Sequence, residues 1–441
     1  MLKQAKKGLF LATALLIYLN GQAQETTGIK FEEGKSWEEL KVKAKQEHKC
    51  IFLDVYATWC GPCKKMDREV YVNEGLGTYM NANFISAKVQ IDSSAKDNEE
   101  IKSNYAFAKK ISTDYKIAVV PSFLFFDSEG NLIHRNEGYY QVEGFKQICE
   151  TAANPSKNDK AIRDNFYSGN LKGNELLEFG KRLKHFKDDA LALEVAKKYR
   201  VTVLDQKEPK EALNKDIVEV FKYFPEVYSR KDILIRYIFQ HQKEADQLMG
   251  STGYSKGLVD YYVRKEMILP KIQGNNGKPI SKTPSWNSIE REVAKEWNER
   301  IAKRTIVKSK VWYYATKKDY LNWVKYEIEQ VELNGVPSAE DGWGVAGLNN
   351  MVYSVIFKYS TDPYALKKAS EYMAILIKYD PTSHANIDTY ANVLYKSGQK
   401  EKALELERKA LKLAELENSK EDANIYTEVI KKMEKNIPTW N

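Results

Sequence analysis

Cysteine and histidine are scarce in this chain: four and five residues among 441. Four cysteines are too few for a disulfide framework, and a chain of this length buries cores without one. Structural zinc asks for two CxxC pairs, or one CxxC with two histidines. Here a single CxxC stands alone, Cys50 and Cys149 lie apart from it, and His48, His134, His185, His241 and His384 are scattered, so no metal site is expected. Beyond the first two dozen residues no apolar run approaches the roughly 20 residues that cross a bilayer. There is no Asn-x-Ser/Thr site with a non-proline middle residue. The formal net charge is +8, yet no basic stripe is interleaved with aromatics, so a nucleic-acid partner is not expected.

What remains is the composition of a soluble globular protein, 43% hydrophobic and 29% charged, long enough for two or three domains. Its first stretch, MLKQAKKGLFLATALLIYLNGQAQ, has a basic head (Lys3, Lys6, Lys7), an apolar run from Gly8 to Leu19, and Gly21 and Ala23 in small-x-small spacing. That pattern reads as a cleaved secretory signal over 1–23, with no membrane span after cleavage. The final residues, NIPTWN, are not a retention signal for the endoplasmic reticulum. With the missing glycosylation sites, this favours a periplasmic or secreted protein of a bacterial envelope.

From Gly28 to about Ala153 strand and helix signals alternate. Ser36-Trp-Glu-Glu39 has capping-box spacing and opens a helix to about Glu47. Cys50 to Tyr56 is a nearly continuous apolar run, as a strand buried on both faces requires. Further strands are expected at 84–91, 122–126 and 132–136, and helices from Pro62, over 99–116 and over 142–151. Between the first and last of these helices a glycine-containing break precedes a new helix, in DREVYVNEGLGTYMNANF. Such alternation predicts an α/β sandwich over 24–155. After the linker at 154–158 strand signals nearly vanish, which predicts an all-α region: a helical domain over 156–345, with loops at 274–279 and 334–337, then repeats over 346–441. Ala369 and Ala403 lie 34 residues apart, and Leu376/Ala410 and Ile377/Leu411 keep the offset. This resembles tetratricopeptide repeats, whose small residues let paired helices approach, with 424–434 as a capping helix. The aromatics of 312–326 read as helix packing, and Trp343, in a glycine-rich loop, as a contact residue.

The chemistry concentrates in YATWCGPCK, residues 56–64. A buried strand delivers Cys60 to a helix N-terminus, and Pro62 sits in the first turn, where its missing N–H costs nothing. The helix dipole and free amides favour a thiolate at Cys60. Cys63, one turn inward and less exposed, is placed to attack a mixed disulfide formed at Cys60. Cys60 therefore reads as nucleophile and Cys63 as resolving thiol. Cys50 and Cys149 read as small buried hydrophobes.

The stretch FLDVYATWCGPCKK resembles the active-site segment of the thioredoxin family, and VVPSFLFF supplies its second mark. The resemblance covers about 125 residues and implies a thioredoxin fold, a mixed sheet flanked by helices. It places Asp54 on the buried carboxylate that assists proton transfer, and Trp59 on the tryptophan beside the nucleophile. Pro121 falls on the cis-proline after Val120 whose loop faces the CxxC and offers backbone groups to substrate. Gly61 and Pro62 are the family's own spacer, and Lys88 and Gly138 fall on further family positions. A buried Asp within Ile-Phe-Leu-Asp-Val also asks for a role on its own account. Two departures stand out. Arg68 replaces the proline that kinks the second helix, and about 14 extra residues lie between Asp92 and Pro121, as in secreted members.

The expected function is thus an envelope thiol-disulfide oxidoreductase, a reductase or isomerase of protein disulfides. It needs no cofactor beyond the redox-active Cys60–Cys63 pair. Its partners are protein substrates with disulfides or thiols and an implied membrane-embedded thiol electron donor. The helical repeats are expected to dock partners. An adaptor or chaperone using the thioredoxin fold as a platform is the alternative, and a copper metallochaperone using the CxxC is a third reading.

Overall fold

The computed structural model describes residues 28–440, so the expected signal segment at 1–23 lies outside the described residues. The chain divides into two compact units. One runs to Glu208 and takes in Asp216–Val227; the other comprises Pro209–Lys215 and everything from Tyr228 on.

The first unit is organised by strand β1 (Cys50–Tyr56), which pairs in parallel with β2 (Phe84–Gln90) and antiparallel with β3 (Ser122–Phe126). β3 pairs antiparallel with β4 (Leu132–Glu137), giving the order β2-β1-β3-β4. Side chains alternate between the two faces. Phe52, Phe123 and Phe125 join Met66, Val70 and Phe145 in one core, while Ile51, Leu53, Val55, Leu124 and Phe126 join Leu40, Ala44 and Ile111 in the other. Cover on both faces is why β1 reads as one apolar run.

Helix α1 (Trp37–Glu47) opens with the expected capping box: Ser36 N–H donates to Glu39 Oε2 at 2.8 Å, and Ser36 Oγ accepts from Glu39 N–H. Helix α2 (Gly61–Lys65) widens into a π-turn, Met66–Val70, closed by Tyr71 N–H donating to Met66 O at 2.9 Å. The helix thus leaves α geometry from Met66 on, with Arg68 in the middle of the π-turn and no proline. The break after it falls at 71–73, not at the glycines. Asn73 caps α3 (Glu74–Asn83), and Gly75 and Gly77 lie within that helix. Gly77 is required there by a close approach: a Cβ would sit 2.5 Å from the Gly28 carbonyl carbon and oxygen. The helix expected over 99–116 is two, α4 (Glu99–Ser103) and α5 (Tyr105–Asp114), divided at Asn104. Helix α6 (Val142–Ala153) closes the sheet's α2 side, with Phe145 and Cys149 fully buried. Cys50 and Cys149 are free thiols on the same core, and burial raises both pKa values.

The unit continues about fifty residues beyond 155 because polar groups tie the next helices to the sheet. Asp159, first residue of α7 (Asp159–Tyr167), accepts from the backbone N–H of Arg135 on β4 at 3.1 Å. It also meets His134 Nδ1 at 3.0 Å and takes two bonds from Arg182 on α8 (Asn174–His185). Burial pushes its carboxyl up, but those partners hold it at about 2. Helix α9 (Asp189–Tyr199) packs on α8 through Val195 and Gly180.

Among the described residues, the second unit contains no strand beyond an isolated bridge, Gln273 to Pro279, which closes the loop expected at 274–279. Trp343 is not in a loop. It lies in the first turn of the helix Gly342–Met351, where Asp341 caps Gly344, and it is 93% exposed. The last four helices, Pro363–Tyr379, His384–Lys396, Lys400–Leu416 and Lys420–Glu434, are joined by short turns. Positions sharing the 34-residue offset share burial, since Ala369, Ala403, Leu376 and Ala410 are all at 0% exposure. Between the middle two helices Glu407 is fully buried, and its carboxyl meets that of Asp388. Burial and the neighbouring Asp388 hold its carboxyl far above the ordinary range.

Two outcomes are expected. Gly77→Ala drives a methyl group into backbone that does not yield, and the clash outweighs the gain of about 1 kcal/mol in helix propensity. A net loss of about 1–3 kcal/mol is expected, read as a lower urea midpoint for the first unit. For Glu407 the folded pKa is raised above the unfolded value of about 4.3. Its contribution is therefore complete below that pH and drains away as pH rises. Hydrogen exchange across 384–416, corrected for intrinsic rates, should show stability falling from pH 5 to 9, and Glu407→Gln should flatten the fall.

Candidate active site

The end of β1 hands the chain to a three-residue approach, Ala57 to Trp59, before Cys60. Asp92 holds it in place. Thr58 N–H donates to Asp92 Oδ1 at 2.9 Å and Thr58 Oγ1 to Oδ2 at 2.5 Å, while Cys60 N–H donates to Ala57 O at 3.0 Å. Asp92 opens the expected insertion, which is itself anchored. Gln90 Nε2 donates to the Asp92 carbonyl and to Asp97 Oδ2, which also accepts from Ser94 N–H and Tyr105 Oη.

Cys60 is the N-cap of α2 and is joined to Cys63 as a disulfide. The Cys63 N–H donates to Cys60 Sγ at 3.1 Å. A free helix amide thus points at the sulfur that would carry negative charge after reduction. Both cysteines are buried in this oxidised form, Cys60 at 2% and Cys63 at 4% exposure. Exposure therefore does not single out Cys60; the amide does. Ala57 joins the two cysteines in a small cluster flanked by Tyr56, Ile91 and Val120. The outer side is open: Gly61 and Pro62 are exposed, a Cβ on Gly61 would meet nothing within 4 Å, and Trp59 is 72% exposed.

Facing the pair is the Val120–Pro121 bond, which is cis. The Val120 carbonyl oxygen lies 3.5 Å from Cys60 Sγ. The loop is fixed from both sides, because Ser122 Oγ donates to Val119 O at 2.7 Å and Gly138 N–H to Pro121 O at 2.8 Å. Gly138 has φ +91°, conformation that glycine alone adopts easily. Tyr139 beside it reaches the CxxC helix, its ring under Lys65 and its hydroxyl donating to Glu69 at 3.1 Å.

Asp54 sits mid-strand, on the same sheet face as Phe52 and therefore under α2, with 1% exposure. In register it stands between Lys88 on β2 and Phe123 on β3. Its polar neighbours are the Tyr71 hydroxyl, which favours the charged carboxylate, and Lys88, whose Nζ is 3.8 Å from Oδ2. Burial pushes the carboxyl up to about 7; Lys88 pulls it down, and Asp67 pushes it up again. Lys88 is itself shared, paired with Asp67 and ringed by Phe31, Tyr56 and Tyr71 at 5.0–5.6 Å. Burial and the Asp54 charge raise the Tyr71 phenol in turn.

The structure thus gathers Asp54, Lys88, Trp59, Cys60, Gly61, Pro62, Cys63, Val120 and Pro121 around one end of the sheet. Sequence reasoning missed Asp67, Tyr71 and Asp92. Asp67 is one turn beyond Cys63, where its side chain faces back along the helix; Tyr71 and Asp92 carry no local signal.

A family model for a thioredoxin-like domain matches residues 37–153, and this stretch is a thioredoxin-like domain. The chain is 23% identical over 127 residues to the thiol:disulfide interchange protein DsbD of Photorhabdus laumondii subsp. laumondii, a match covering 28% of this chain and 20% of that protein. It is 29% identical over 127 residues to a thioredoxin H-type of Fagopyrum esculentum, covering 29% of this chain and 93% of that one. The chain therefore spans only about a fifth of the length of its DsbD relatives. Among solved structures, a DsbH oxidoreductase aligns at 19% identity with TM-score 0.25, over 30% of this chain and 92% of that chain. The C-terminal domain of Neisseria meningitidis DsbD in its oxidised form aligns at 18% identity with TM-score 0.21, over 25% and 88%.

The raised carboxyl of Asp54 gives a signed prediction. Its folded value, about 7, exceeds the unfolded value of about 3.9. Its contribution to stability is complete below pH 4 and is lost as pH rises through 7. Asp54→Asn should match the parent near pH 4 and exceed it at pH 8 by about 1–4 kcal/mol, measured by urea unfolding at both pH values.

Proposed function

We propose that this protein is an extracytoplasmic thiol-disulfide oxidoreductase that reduces or isomerises disulfides of other proteins. The observation that carries the reading is the Cys60–Cys63 pair at a helix N-terminus, with a helix amide bonded to Cys60 Sγ and a buried carboxyl beneath. In the reduced state the Cys60 thiolate attacks one sulfur of a substrate disulfide. A Cys60–substrate bond forms, the substrate disulfide breaks, and the second substrate sulfur leaves as a thiolate that takes a proton. Cys63 loses its proton towards Asp54, whose carboxyl is poised near neutrality to receive it, and attacks Cys60 Sγ. The Cys60–Cys63 disulfide forms and the reduced substrate departs. The cis Val120–Pro121 loop offers its backbone to the substrate chain, and Trp59, Gly61 and Pro62 form the open rim. Lys88 positions and tunes Asp54.

Two electrons must then return to the pair. In an oxidising envelope a membrane-embedded thiol carrier is the donor class that fits. Two observations support an envelope location: the basic-apolar-small order of 1–23, and similarity to proteins named for thiol:disulfide interchange. Among the described residues no helix is long and apolar enough to cross a membrane. The helical region, with its tetratricopeptide-like offset over 346–441, is assigned to docking of partners.

The mature protein should accelerate insulin reduction by dithiothreitol. Cys60→Ser should abolish the acceleration, and Cys63→Ser should accumulate mixed disulfides with substrate. Asp54→Asn should slow turnover several-fold and remove a pH dependence centred near 7. Full activity in Cys60→Ser removes the reading.

A further inference from the structure

A cavity of about 250 Å³ opens on the far edge of the first unit's sheet, walled by β4, the end of α5, α7, α8 and the turn after α8. Its lining includes six basic and three acidic side chains. Each acid is engaged: Asp159 by Arg182 and His134, Asp188 by Arg163 at 3.1 Å, and Asp114 by Lys110 at 2.6 Å. Of the bases, Arg182, Arg163 and Lys160 have carboxylate partners, Lys160 in Asp164 at 2.7 Å, and the others do not. Lys116 Nζ donates to a carbonyl, that of Lys187. Arg135 is only 9% exposed, its Nη1 donates to the Tyr115 carbonyl at 2.8 Å, and its Nε is buried with no hydrogen-bond partner. Its guanidinium lies 4.1 Å from the Phe186 ring centroid, and Arg182 lies 5.1 Å from the same ring. The remaining wall is apolar, with Leu132, Ile133, Phe179 and Leu183.

A buried guanidinium with an unpartnered donor is costly, and here Glu137 and Asp159 offset the desolvation of Arg135 only in part while Arg182 adds to it. Arginine presents a planar fork of donors suited to an oxyanion with two or three acceptor oxygens. The volume sits at or below the small end of ligand pockets, which suits a metabolite-sized molecule and not a folded partner. We propose that this cavity binds a small organic anion, its carboxylate or phosphate group on Arg135 and its apolar part against Phe179 and Leu183. This site stands apart from the dithiol and does not depend on its chemistry.

The test is titration calorimetry on the full mature chain at fixed ionic strength, with three probes: benzoate, phenyl phosphate and inorganic phosphate. Saturable binding of an aryl probe, tighter than inorganic phosphate, is expected; the preferred aryl probe tells a carboxylate ligand from a phosphate one. Arg135→Gln should weaken that binding at least tenfold, the scale of one lost charge-assisted bond, and leave insulin reduction unchanged. Should Arg135→Gln fail to fold, Lys187→Gln at the exposed rim decides, with a severalfold loss expected. Three outcomes overturn the proposal: no saturable binding at millimolar probe, inorganic phosphate binding as well as the aryl probes, or the folded variant binding as tightly as the parent.

Discussion

Placing a carboxyl inside a strand that is covered on both faces removes it from water, and the arrangement at this end of the sheet answers that cost. A fully hydrated Asp would ionise well below neutral pH. Asp54 instead titrates near 7 because burial disfavours its charge more than Lys88, at 3.8 Å, favours it. Had Lys88 formed a close, exclusive ion pair, the carboxyl would stay ionised and accept no proton at neutral pH. Asp67 prevents that by holding Lys88 from the other side. The balance of one buried acid, one shared lysine and one half-exposed acid sets the proton affinity that a dithiol needs nearby.

The same economy of neighbours fixes the sulfur pair. An amide and a carbonyl meet at one sulfur while an aspartate holds the chain before it: Cys63 N–H donates to Cys60 Sγ, Val120 O faces that sulfur, and Asp92 fixes the approach through Thr58. Because Asp92 holds the approach and Gln90, Asp97 and Tyr105 tie down the chain that follows it, the start of the insertion between Asp92 and Pro121 is part of the site's framework and not a loose surface loop. It also explains how extra residues are accommodated beside a reacting centre without loosening it.

How much of this was legible in the sequence depended on how local the causes are. The capping box at Ser36, the bounds of β1 and the hairpin at 122–137 follow from patterns within a few residues, and they appear as read. The motif segments likewise locate the Cys60–Cys63 disulfide, the buried position of Asp54 and the cis bond before Pro121. The break at Asn104 is different: the helical periodicity runs through, and only the backbone at Asn104, φ −91° and ψ −2°, shows that two helices share the stretch. Trp343 read as a loop residue because glycines flank it, yet Asp341 caps a helix over those glycines. Asp67, Tyr71 and Asp92 matter through space, and no spacing rule announces a contact between Asp67 and Lys88.

The attachment of α7 and α8 to the sheet is the least legible feature, and physically the most instructive. A linker and a change from alternating to helical periodicity suggest a boundary at 155. The link across it is polar: Asp159 accepts from a β4 backbone amide and from Arg182 and meets His134 Nδ1, and these partners hold its carboxyl at about 2. Edge strands offer unpaired backbone groups, and here a helix N-terminal acid and Arg182, which donates to the Arg135 carbonyl, cover that edge. The cover consumes the wall's carboxylates and leaves Arg135 with a donor unanswered. A cationic cavity is thus a consequence of how the helices close the sheet.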